Sequence, residues 1–191
     1  MANIIFKKRL LLAMVMMAGL ILLAAGCASG PSPVVPPPGQ KPAVQVQPET
    51  VRLGVARLMN ETDIEITGWH FKPGDSVFIN MTLVEPADPP ARVPGMAIAN
   101  AVVDKKGCFT TEVEKLVKIS DFLRADIGLN RDMEKYIIID KPPIPEGSYR
   151  LTAESMASDK TASCRLTVKG PTLGDRFKDW LGGLLGKIEK K

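Results

Sequence analysis

Hydrophobic and polar positions change rhythm four times along the chain, and each rhythm predicts a different element. Residues 10–25 form an unbroken apolar run behind Lys7, Lys8 and Arg9. Residues 28–49 are dense in proline, at 31, 33, 36, 37, 38, 42 and 48. Proline lacks the amide proton that helices and central strands need, so this stretch reads as an extended spacer in the polyproline II conformation. From about Val51 to Val168 short apolar–polar alternations return, broken by Gly, Pro and Asp. Ser76 to Leu83 is the clearest, placing Val77, Ile79, Met81 and Leu83 on one side of a strand. Further strands are expected near residues 63–68, 96–103, 109–113, 136–139, 149–153 and 162–168. Lys72-Pro73-Gly74-Asp75 and Asp104-Lys105-Lys106-Gly107 supply turns between them.

Two segments interrupt the alternation. Residues 85–95 are a Pro-rich loop. Within residues 116–130, Ile119, Phe122, Leu123 and Ile127 recur at helical spacing, with Ser120 or Asp121 as the N-cap. After Thr172 the period becomes helical again. Leu173, Phe177, Trp180, Leu181, Leu184, Leu185 and Ile188 share one face, with Asp175 and Asp179 early and Lys187, Lys190 and Lys191 late. Gly182, Gly183 and Gly186 weaken this helix by roughly 1 kcal/mol each relative to Ala, so it should fold on a support. Phe177, Trp180, Leu181, Leu184 and Leu185 are its candidate contact residues. A membrane interface, a groove on a partner or second copy, and the chain's own β domain all remain open as that support.

The start of the chain carries a more specific pattern, Leu23-Ala24-Ala25-Gly26-Cys27 behind the basic and apolar segments. It resembles the lipobox of bacterial lipoproteins, although Ala24 stands where that family most often has Leu. The resemblance implies cleavage after Gly26 and lipidation of Cys27, with the product held on the extracytoplasmic face of a cell or outer membrane. Two or three acyl chains give stable attachment where one is marginal, at about 0.8 kcal/mol per buried methylene. An uncleaved membrane-spanning helix is the alternative for the same run. Ala28 gives no signal for inner-membrane retention. The chain then divides into a signal peptide over 1–26, a lipidated Cys and linker over 27–50, a β domain over 51–170 and a helix over 171–191.

Loss of the three leader cations brings the formal net charge from +4 to +1. The basic pI therefore points to no nucleic-acid partner.

Inside the β domain four motifs stand in order: residues 68–77 (GWHFKPGDSV), 104–109 (DKKGCF), 145–153 (PEGSYRLTA) and 166–168 (LTV). Together they resemble bacterial immunoglobulin-like domains of envelope and surface proteins. The resemblance implies an all-β, antiparallel immunoglobulin-like sandwich with a helical insertion at about 114–144, and roles in adhesion or assembly.

Catalytic chemistry finds no footing. One His, His70, has no partner at metal-ligand or catalytic spacing and reads as a solvent-facing turn residue. Asp63, Asp75, Asp104 and Asp140 read as turn formers rather than a Ca²⁺ site. No cofactor, metal or catalytic residue is expected. Cys108 and Cys164 would be permitted to pair in an exported compartment. Strand parity, however, turns Cys108 outward and Cys164 inward, which favours two thiols. Trp69 has the parity of polar positions, which leaves partial exposure open, with core or edge packing the favoured reading. The expected function is a non-catalytic protein-interaction or scaffolding module with an envelope protein partner. The alternative is a small-molecule or carbohydrate binding subunit of an envelope enzyme or transporter, which a groove lined by Trp69 and loop aromatics would favour.

Overall fold

The computed structural model describes residues 41–84 and 95–190, and these form a mostly β structure with several sheets. The leader, Gly26 and Cys27 lie outside the described residues, as does the Pro-rich loop except for Gly95. Eleven strands are present among the described residues: β1 (Ala43–Gln47), β2 (Thr50–Arg52), β3 (Glu65–Trp69), β4 (Ser76–Leu83), β5 (Met96–Val102), β6 (Phe109–Glu112), β7 (Asp126–Leu129), β8 (Lys135–Ile139), β9 (Gly147–Ser155), β10 (Thr161–Lys169) and β11 (Ile188–Lys190). They form a five-stranded sheet in the order β2-β10-β9-β4-β5 and two three-stranded sheets, β1-β3-β6 and β11-β8-β7. Three helices accompany them: α1 (Val55–Asn60), α2 (Lys115–Val117, continued by a π-turn over Lys118–Phe122) and α3 (Leu173–Leu184).

Period-two alternation fixes which side of each strand faces in. Val77, Ile79 and Met81 of β4, Tyr149, Leu151 and Ala153 of β9, and Leu166 and Val168 of β10 are buried in one cluster. Val44, Val46, Ile66 and Phe109 from the β1-β3-β6 sheet join the same cluster, so the two sheets share a core. Gly68 faces that core, where the Phe109 ring covers it. Gly107 closes the Asp104 turn at φ +80, and a Cβ there would lie 2.9 Å from the Phe71 carbonyl oxygen. Asp104 accepts from the amides of Lys106 and Cys108, both at 2.8 Å, completing the turn.

Tyr149 is fully buried, and its hydroxyl donates to the Pro145 carbonyl at 2.8 Å. Burial pushes the phenol up to about 12. Of the two tyrosines in the chain, one should therefore ionise only near that value in an ultraviolet titration. Ionisation of Tyr149 at the ordinary 10 would contradict its packing.

Several expectations need correction. The β domain begins before residue 51, because β1 lies inside the expected linker. Between Pro42 and Pro48 the sequence AVQVQ is proline-free and alternating, and β1 occupies a sheet edge where flanking prolines interrupt no ladder. Pairing is not wholly antiparallel, since β2–β10 and β11–β8 run parallel. In the insertion the N-cap is Glu114 rather than Ser120 or Asp121, and Ile127 sits in β7 with its side chain exposed. Ile119, Phe122 and Leu123 are buried as expected for the turn they occupy. Trp69 is 5% exposed, yet it stands outside the main core cluster. The C-terminal helix stops at Leu184, where Leu185, Gly186 and Lys187 turn the chain. Ile188 accordingly leaves the helical face and pairs with Ile137 in β8. Gly186 at φ +68 supplies the left-handed backbone at that stop.

Candidate interaction surface

Thr172 opens α3 with a reciprocal capping box: its hydroxyl accepts from the Asp175 amide, while the Asp175 carboxylate accepts from the Thr172 amide. Asp175 also lies 3.4 Å from the Arg57 guanidinium of α1. One turn later Asp179 accepts from the amides of Val55 at 3.1 Å and Ala56 at 2.8 Å. These are two of the amides that the start of α1 cannot satisfy within its own turn. Lys178 adds a bond to Glu61. Both aspartates are buried, at 3% and 7% exposure.

Helix α3 thus docks through its acidic side. Its apolar side faces out, with Leu173 84%, Phe177 62%, Trp180 57%, Leu181 43%, Leu184 64% and Leu185 64% exposed. Docking of the apolar face on the chain's own β domain, one of the three supports left open by the sequence, does not occur. The reason is local chemistry: α1 presents unpaired amides and Arg57, which carboxylates satisfy and leucines cannot. Phe177 and Trp180 contact one another, with ring centroids 5.7 Å apart.

Beside the end of α3 runs a groove of about 690 Å³, floored by Val55 and Met59 of α1, Leu116 and Ile119 of the insertion, and Ile137 and Ile188 of the small sheet. Leu116, Ile127, Leu129 and Met133 leave further apolar surface exposed on the insertion. Met59 had no sequence pointer, because nothing in the pattern predicts α1, whereas Ile137 falls in the strand expected at 136–139.

The remaining candidates separate. Cys108 and Cys164, the pair left open for a disulfide, are both free thiols, and burial with the nearby Glu49 charge pushes Cys164 up to about 11. His70 is half-buried rather than solvent-facing. It holds φ +63, its carbonyl accepts from Lys160 Nζ at 2.5 Å, and its Nε2 is buried without a partner. Asp75 accepts from Ser155, Ser158 and the amides of Ser76 and Ala157, and these bonds, Ser155 first, hold its carboxyl below the ordinary range. Asp63 pairs instead with Lys118 at 3.8 Å, and Asp140 with Lys141 at 3.9 Å. Among the described residues no three His, Cys, Asp or Glu side chains gather in a metal-holding group. No helix among them is long and apolar enough to cross a membrane.

No family model and no curated protein matches the chain. Among solved structures, the chain is similar at 16% identity and a TM-score of 0.35 to macromomycin, covering 67% of this chain and 99% of that one. It is similar at 13% identity and a TM-score of 0.35 to a β-glucosidase from Listeria innocua in complex with glucose, covering 70% of this chain and 16% of that enzyme. A superoxide reductase (neelaredoxin) from Ignicoccus hospitalis matches at 6% identity and a TM-score of 0.33, over 69% of this chain and 80% of that one. At these scores the likenesses carry no functional argument.

Proposed function

We propose that the chain is an exported, lipid-anchored envelope protein whose β domain is a non-catalytic interaction and scaffolding module. Gly26 is the last residue of the leader, Cys27 carries the lipid, and the Pro-rich segment tethers the domain to the membrane. The observation that carries the interaction role is the outward apolar side of α3, fixed in place by Asp175 and Asp179. Five large side chains exposed together on one short helix, with Leu185 just after it, cost solubility unless something covers them.

The domain itself we read as immunoglobulin-like. Supporting that reading, Tyr149 near the start of β9 bonds back to a backbone carbonyl four residues upstream, as the tyrosine corner of such sandwiches does. A small-ligand role draws less support, since among the described residues no second aromatic side chain lines the groove beside Trp69.

The anchor is tested by Cys27→Ser. The wild-type product should begin at Cys27 and enter the detergent phase, while the variant should persist as an uncleaved precursor. A Cys27→Ser protein that still matures and partitions as a lipoprotein would contradict the proposal. The contact role is tested by cross-linking in cells: a chain stopped at Pro171 should lose a contact that the full chain makes.

A further inference from the structure

We infer that the outward side of α3 lies on an anionic lipid surface, giving the domain a second attachment to the membrane besides its anchor. The inference rests on the preceding reading that Cys27 is lipidated and that this side of α3 is the contact face.

Charge carries the choice of occupant. Helix α3 and the turn after it hold two acids and three cations, but both acids, Asp175 and Asp179, are buried against α1. The charged side chains left exposed between Leu173 and Ile188 are Arg176, Lys178 and Lys187, all cationic. Lys178 is shared with Glu61, just after α1, and the nearest exposed acid in sequence, Glu189, lies on β11 beyond the turn. In the groove alongside, Lys115, Lys135 and Lys187 outnumber Glu134. An apolar stripe flanked by cations matches the hydrocarbon boundary below and anionic headgroups beside it. Trp180 is a residue type that favours the headgroup level, and Phe177 packs beside it. A second copy of the same face would instead bring Arg176, Lys178 and Lys187 against their own equivalents, and like charges oppose that pairing.

The spacer makes the contact attainable. Since β1 starts at Ala43, the chain between Cys27 and the domain is residues 28–42, which span ~45 Å when extended. A domain tied that closely meets the bilayer at an effective concentration in the millimolar range, so even a weak interfacial helix would be occupied.

Trp180 reports the contact directly, because the other tryptophan, Trp69, is buried. The probe is the mature lipidated protein reconstituted into vesicles whose acyl chains are brominated near the headgroup, prepared with and without phosphatidylglycerol. Tryptophan emission should fall about twofold in the anionic vesicles, with less quenching in neutral ones. Trp180→Phe should remove the quenchable emission, and an Arg176→Glu, Lys187→Glu pair should weaken quenching without unfolding, since both side chains are exposed. Vesicle-bound protein whose Trp180 stays unquenched would overturn the inference, as would a cross-link from Phe177 or Trp180 to a protein in place of quenching. Recovery of the protein away from the vesicles would instead fail the anchor reading. In that case the protein is mixed with preformed anionic vesicles, where Trp180 quenching upholds the helix inference and its absence overturns it.

Discussion

Replacing Asp175 and Asp179 together by alanine should detach α3 and β11 from the domain. Asp179→Ala leaves the Val55 and Ala56 amides without an acceptor, at about 1–3 kcal/mol each where water cannot reach them. Asp175→Ala removes the capping box and the Arg57 pair, worth about 1 kcal/mol for the cap alone. The double variant should lose about 3–7 kcal/mol in all. Amide exchange should rise at Val55, Ala56 and Ile137, the last because its amide donates to the Lys187 carbonyl at 3.0 Å. Asp179→Asn keeps one carbonyl oxygen and should lose less. On the opposite side, Phe177→Ser or Leu184→Ser should shift stability by no more than about 0.5 kcal/mol, since those side chains are exposed. Unchanged exchange in the double aspartate variant would contradict this docking.

Acid should act on the same contact. Burial pushes the Asp175 carboxyl up, but bonds from Thr172 and the charges of Arg57 and Arg52 outweigh it and hold the group below its ordinary 3.8. The detached state therefore takes up the proton more readily. Docking is at full strength above about pH 4 and weakens as pH falls below the ordinary value.

Gly68→Ala should destabilise the core where the β1-β3-β6 sheet meets Phe109. A Cβ at position 68 would stand 2.2 Å from Phe109 Cε1 and 2.4 Å from Cζ. The ring has little freedom to retreat, because it packs edge-on against Phe71 with centroids 5.3 Å apart, and both rings are buried. Overpacking of this kind costs about 1–3 kcal/mol, so chemical denaturation should show a lower midpoint with an unchanged slope. Adding Phe109→Leu should recover part of the loss, since the two changes share one volume. A Gly68→Ala protein as stable as the wild type would contradict this packing.

Strands were legible wherever one side of a strand is buried and the other wet. Val77, Ile79 and Met81 show this, and Tyr149, Leu151 and Ala153 repeat it on the neighbouring strand β9. β1 was hidden because its prolines flank the strand rather than interrupt it. Parity alone left Trp69 open between partial exposure and core or edge packing; it is buried outside the main cluster, and Gly68 takes the core-facing position. The helix after Thr172, its cap and its apolar stripe were all readable. Periodicity says which side of a helix is apolar, but not which side is docked. That second fact depends on α1 offering unpaired amides at Val55 and Ala56, a need created only by the fold. Asp175 and Asp179, four residues apart, read as dipole-favouring surface acids, and their burial had no sequence signal.

Carbene footprinting of an unlipidated chain beginning at Ala28, in detergent-free, lipid-free solution, tests the outward setting of α3 most directly. Phe177, Trp180 and Leu184 should be heavily labelled, while Val55, Leu58 and the Asp175 and Asp179 side stay protected. Protection of Phe177 and Trp180 in the isolated monomer, with labelling moved to Asp175 and Asp179, would mean that the helix docks by its apolar side and would contradict the account.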